Sequence, residues 1–404
     1  MHILKRLIPL CAAALVLVCA SAPAAQPSGA PKLLELGAPA PDFKGLPGVD
    51  GKSYSLSDFK APILMVVFLS NHCPFSHAAE TRLLPMVREY KSKGVDVIAI
   101  NPNNPDAVAL QELGYSKYND SFEEMKLYAQ EAGFPFPYVY DGDTQITSAA
   151  FGVQATPQVF LFDRERKLRY VGRVDDSRFE DPKTVKVHDT RNALDELLAG
   201  KPVTVAKTNA PGCSTKWNSK KEAEVAEFNA KWESGKVELE TIDADGVAAL
   251  AKNPSNRFRL INVWATWCAP CVEEFPHLVD ISRRLSTRKF EFITISLDDP
   301  KMSGSALKFL EKHHQRPSDA LTAILKKEGR NTTNYHYTGA STDALSKALD
   351  EKWDGPLPHT VLIAPGGKII WRQNGQITDP AKLLDLILKE LGPYYTETVR
   401  GALH

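Results

Sequence analysis

Cys268 and Cys271 are separated by two residues in NVWATWCAPCVEEFP (262–276), between an apolar run and a helical pattern. A sulfur at a helix start lies beside unpaired backbone N–H groups and the positive end of the helix dipole. Both favour thiolate over thiol. Cys268 is therefore the expected nucleophile toward a disulfide. Cys271, one turn on, is the sulfur expected to attack the mixed disulfide and release the product. Cys73 has a similar frame in VVFLSNHCPFSHAAE (66–80), but Ser76 stands at its partner position. Such a lone thiol can attack a peroxide or form a mixed disulfide, yet cannot complete the local two-step exchange. His72 and His77 bracket it and are read as packing or solvent-facing residues. Val272 after Cys271 excludes the haem-attachment pattern, and no second ligand pair at short spacing suggests zinc. No metal and no cofactor are expected.

The chain has six cysteines. Residues 1–25 read as a secretory signal peptide: Lys5 and Arg6, an apolar run, then small residues near Ala24 and Ala25. A lipoprotein anchored through Cys19 is the weaker reading, because Val18 stands where such signals carry a small residue. Export, most simply to a periplasm, is the expectation, with no transmembrane segment in the mature chain. Cys11 and Cys19 leave with the signal. Cys73, Cys213, Cys268 and Cys271 remain, and four cysteines allow three full connectivities. A pair at a helix start closes easily on itself. That leaves Cys73 and Cys213 to bridge each other or to stay as free thiols. Lysine plus arginine equals aspartate plus glutamate, 49 against 49, which gives no electrostatic case for nucleic acid or an acidic membrane.

The elements that must hold these cysteines occur twice. With Cys73 set on Cys268, an offset of 195, each follows an apolar strand-like run (Ile63 to Leu69, Leu260 to Trp264) and precedes a helical pattern. Val97 and Phe292 each lie 24 residues after their cysteine, in a second apolar run. Pro157 and Pro358 then open hairpins, with Lys167 and Lys368 ten residues on and Tyr170 and Trp371 thirteen on. Amphipathic helices, 190–198 and 380–391, close the halves. One matched spacing could be chance; four favour duplication. The order of elements predicts an α/β fold of two tandem domains, each a mixed sheet flanked by helices. The expected boundaries are 34–205 around Cys73, 206–236 as a linker with Cys213 and a charged helix, and 237–404 around the dithiol. An insert at 300–355 reads as two or three helices and a candidate substrate-facing cap.

On Trp267, Cys268, Pro270, Cys271, Glu274, Pro276 and the LPHT around Pro358, the C-terminal half resembles the TlpA/ResA-type branch of the thioredoxin superfamily. On NHCPF and ATPQVFLFD, the N-terminal half resembles redoxin (AhpC/TSA-like) domains. The resemblance implies thioredoxin-like folds and thiol–disulfide oxidoreductase activity on a protein or small-molecule disulfide, with an external electron donor. It implies a cis Pro358 packed against the dithiol. It gives Glu274 the proton-handling role, since Asn262 replaces the buried Asp of typical thioredoxins. Trp267 covers the sulfur or packs. Two other readings stand beside it. One is a peroxide reductase in which Cys73 attacks and Cys213 resolves, with Ser70 and Arg164 or Arg173 assisting. Against it, Val66 replaces the proline of the peroxiredoxin motif. The other is a non-catalytic partner-binding module.

Overall fold

The computed structural model describes residues 31–299, 301 and 303–392. The signal-peptide reading, with Cys11 and Cys19, therefore lies outside the described residues.

Two mixed sheets organise the chain. In the first, the strand Ile63–Phe68 lies between the parallel Val95–Asn101 and the antiparallel Gln158–Phe162; Tyr138–Tyr140 and Leu168–Gly172 form the edges. In the second, Phe258–Trp264 lies between the parallel Phe290–Ser296 and the antiparallel His359–Ile363, with Asn334–Tyr337 and Ile369–Asn374 outside them. A further strand, Glu240–Ile242, extends only this second sheet. Register also repeats. Ile63 pairs with Val95 and Phe258 with Phe290, and each hairpin has one irregularity, after Leu161 and after Leu362.

The central strands are apolar because both of their faces are covered. Successive side chains point to opposite faces. Ile63, Met65, Val67 and Leu69 therefore join Leu83, Met86 and Tyr90 of the helix Pro74–Lys91 in one core. Leu64, Val66 and Phe68 pack with Phe151, Phe160 and Phe162 in the other. In the second sheet Leu260 and Trp264 face the helix Ala269–Arg284, while Ile261 and Val263 face away from it. Asn262 falls on the helix-facing side by the same alternation.

The insert departs from expectation. Its helices Ser303–Lys312, Asp319–Lys327 and Thr342–Leu349 form, but Asn334–Tyr337 is a sheet strand, so much of the segment builds the domain and does not cap it. Only its last residues, from Trp353, lead toward Pro358; the Trp353 ring stacks on His359.

The linker helix Lys221–Glu233 sits between the modules. Phe228 and Trp232 pack with Ala109 on one side, and the Arg283 and Arg316 guanidinium groups lie over the Trp232 ring on the other. At the C-terminal end of the helix Ala269–Arg284, Arg284 donates to the Leu113 and Ser116 carbonyls. Cys268 is at the opposite end of that helix.

Candidate active site

Both cysteine frames place a sulfur at a helix N-cap: Cys268 ahead of Ala269–Arg284, Cys73 ahead of Pro74–Lys91. A proline at the start of each helix costs nothing there, because that N–H has no intrahelical partner.

Cys268 and Cys271 form a disulfide with Cα atoms 5.3 Å apart. The Cys271 N–H points at the Cys268 sulfur, 3.3 Å away. The dithiol belongs to the second core, and Cys268 is the more exposed of the two, 6% against 1%. Val263 pairs with His359, which brings Pro358 to the same sheet end as the dithiol. The Leu357–Pro358 bond is cis, and Leu357 packs against the core that holds both sulfurs. Among the described residues no strand pairs with Pro356 or Leu357. Trp267 does not pack inward; it is 68% exposed.

Glu274 is buried one turn beyond Cys271. It accepts from the Asn262 amide at 3.1 Å and from the Ile377 N–H at 2.7 Å. Burial pushes its carboxyl up to about 7, against the pull of those two donors. A carboxyl with that value exchanges protons near neutrality.

The N-terminal centre has a different construction. Cys73 is fully buried, and its sulfur lies 3.0 Å from the Thr156 carbonyl oxygen. Thr156–Pro157 is also cis. Here the edge before the proline is occupied. Cys213–Ser214 pairs antiparallel with Ala155–Thr156, setting Cys213 opposite Thr156. Gly212 permits this approach, since a Cβ there would stand 2.1 Å from the Thr156 carbonyl oxygen. Cys73 and Cys213 are both free thiols in this structure, set on the two sides of the Thr156 backbone pairing. Burial alone would push the Cys73 thiol up. The hydrogen bond from the Cys213 thiol and the charge of His72 outweigh burial and hold it at about 6. The same contact pushes Cys213 up.

Several residues here were not read from the sequence. Asp120 is buried and accepts from the Asn71 N–H and the Asn101 and Asn103 amides, and its carboxylate meets His72 Nδ1 at 2.6 Å. Burial opposes charge on His72, but Asp120 and the Cys73 thiolate raise its affinity for a proton. Glu80, buried and bonded to the Tyr128 hydroxyl, is pushed up to about 8 by burial. His77 meets the Asn71 carbonyl. Ser70 meets the Thr156 hydroxyl at 2.9 Å. Arg164 stands exposed on the turn after Gln158–Phe162, and Arg173 pairs with Asp189. The cis Pro157 had a signal, its alignment with Pro358. Asp120 had none.

The Redoxin family model matches residues 35–194 and 235–387. The chain belongs to the Redoxin family. Thiol-disulfide oxidoreductase ResA of Bacillus subtilis is 25% identical over 119 residues, covering 30% of this chain and 54% of that protein. A thiol:disulfide interchange protein DsbE homolog of Paracoccus denitrificans is 31% identical over 119 residues, covering 30% of this chain and 51% of that one. The chain thus spans about half the length of these curated relatives. The crystal structure of a hypothetical protein, SMc02350, from Sinorhizobium meliloti is 35% identical, covers 46% of this chain and 97% of that one, and has a TM-score of 0.41. Among the described residues no helix is long and apolar enough to cross a membrane.

Proposed function

We propose that the chain is a thiol–disulfide oxidoreductase whose working centre is Cys268 and Cys271. The observation that carries this reading is a dithiol at a helix start, with no strand paired to Leu357 before cis Pro358 among the described residues and Trp267 exposed. In the reduced protein Cys268 attacks one sulfur of a substrate disulfide and expels the other as a thiolate. Cys271 then attacks Cys268, releasing the second thiolate and closing the bridge. Glu274 accepts the proton that Cys271 gives up. An extended substrate would pair with the backbone of Leu357, since Pro356 has no N–H and its carbonyl already accepts from Trp353 Nε1. The resemblance to ResA and DsbE-type proteins supports the same activity. The modules are assigned to 34–205 and 237–404, joined by 206–236. Export agrees with this chemistry, because an oxidising compartment lets such bridges form and persist.

The test is turnover of a model protein disulfide by the full chain with dithiothreitol as the electron source. Cys268→Ser should abolish the activity above the reagent's own rate. Unchanged turnover in that variant would remove the dithiol from the mechanism.

A further inference from the structure

The strand Cys213–Ser214 is held at both ends. Before it, the Thr208 N–H donates to the Val171 carbonyl and the Thr208 hydroxyl accepts from the Arg173 N–H. After it, the Lys216 N–H donates to the Asn103 side chain, and the Lys216 carbonyl accepts from Gln145. Cys213 therefore stays over Cys73 and does not travel to Cys268. In this pair the burial order is also distinctive. Cys73 is fully buried, whereas Cys213 is half-buried between the exposed Pro211 and Ser214.

We propose that Cys73 and Cys213 form a second redox centre, in which Cys213 is the sulfur that exchanges with an external thiol and Cys73 is the buried leaving group. The roles follow from access and from what stabilises each sulfur. A thiol approaching the oxidised pair meets Cys213 first. Its thiolate bonds to the Cys213 sulfur, the Cys73–Cys213 bond breaks, and Cys73 leaves as a thiolate. That thiolate is received by the helix start and by His72, which Asp120 holds in place through Nδ1. His72 Nε2 is buried and has no hydrogen-bond partner among the described residues, so it is free to carry the compensating proton. A lower-pKa thiol also leaves faster, and of the two Cys73 is the more acidic. A second external thiolate then attacks the mixed disulfide at the external sulfur. It releases Cys213, which takes up a proton, and leaves the two external thiols joined as a disulfide. The same steps in reverse, with an external disulfide as oxidant, close the pair. The sequence alone made Cys73 the reactive sulfur; the fold exchanges the roles.

The test removes the C-terminal dithiol, so that its failure is separate from that of the proposed function. The full chain carrying Cys268→Ser and Cys271→Ser is oxidised with oxidised glutathione and mapped for a Cys73–Cys213 bridge. It is then treated briefly with excess reduced glutathione, quenched in acid and mapped again. The expected result is a bridge in the first map, and in the second at least roughly tenfold more glutathione on Cys213 than on Cys73. Glutathione on Cys73 in equal or greater amount would overturn the assignment of roles. Two free thiols after oxidation would overturn the centre itself. Both outcomes are read at unmutated Cys73 and Cys213. Circular dichroism matching the parent chain confirms that the variant is folded.

Discussion

The two cysteine centres share a sheet order, a helix start and a cis proline, and differ in what lies on the edge before that proline. Before Pro358 no strand pairs with Leu357 among the described residues, and Trp267 stands exposed beside the dithiol. At Pro157 the chain has laid its own strand, with a cysteine opposite Thr156. In the C-terminal module the second sulfur is local, one turn into the helix, and the edge is left for something else. In the N-terminal module Ser76 removes the local sulfur, and the replacement arrives on the edge itself, 140 residues beyond Cys73. A frame of this kind can thus work on an external chain or be filled internally, and one local residue marks the choice.

The sharpest break of the comparison is at the nucleophiles. Cys268→Ser should lower disulfide turnover by at least about a hundredfold, measured with the full chain. Cys73→Ser should leave most of that turnover intact. Equal losses in both would mean that the centres act as one.

Next in size is the buried support of Cys73. Asp120→Asn removes the charge facing His72 while keeping its shape. Breaking a buried ion pair in this way should cost about 3–5 kcal/mol, read by urea denaturation. Cys73, losing the charged His72, should also titrate higher than in the parent, read by alkylation rate against pH. A stability loss with no change at Cys73 would make the pair structural only.

Gly212→Val should convert the filled edge toward the open one. Its Cβ meets the Thr156 carbonyl oxygen, so the strand must shift, at about 1–3 kcal/mol. Cys73 should then alkylate faster under native conditions, while Cys268 is unaffected.

The smallest effect is at Glu274. Its folded value, about 7, lies above the ordinary 4.5, so the folded chain holds this proton more tightly than the unfolded chain. That contribution is complete below about pH 4.5 and is lost as pH rises through 7. Glu274→Gln should flatten stability across that window relative to the parent, measured by denaturation of the oxidised protein at a series of pH values.

Much of this contrast was legible in the residues. Spacing aligned the cysteines, the second strands and the hairpin prolines, because buried strands must be apolar and a helix must start where its cap is. The same alignment set Pro157 on Pro358, but only Pro358 was expected to be cis; the cis bond at Pro157 is a finding of the structure. Elimination paired Cys213 with Cys73. It did not show that Cys213 arrives on a strand, since Cys213–Ser214 is two residues long and has no periodicity. The short strands Tyr138–Tyr140 and Asn334–Tyr337 gave similarly weak signals. Asp120 was invisible for another reason: it reaches His72 across 48 residues, and nothing local distinguishes it from a loop aspartate.

The central claim is that exchange with an outside disulfide occurs at Cys268. Cys271→Ser in the full chain removes the sulfur that resolves the mixed disulfide, so the first adduct should accumulate. Incubating the reduced variant with a disulfide-linked peptide, quenching in acid and mapping by mass spectrometry reads the site directly. The account predicts one dominant mixed disulfide, on Cys268. A variant that consumes the peptide disulfide while Cys268 remains a free thiol would contradict it.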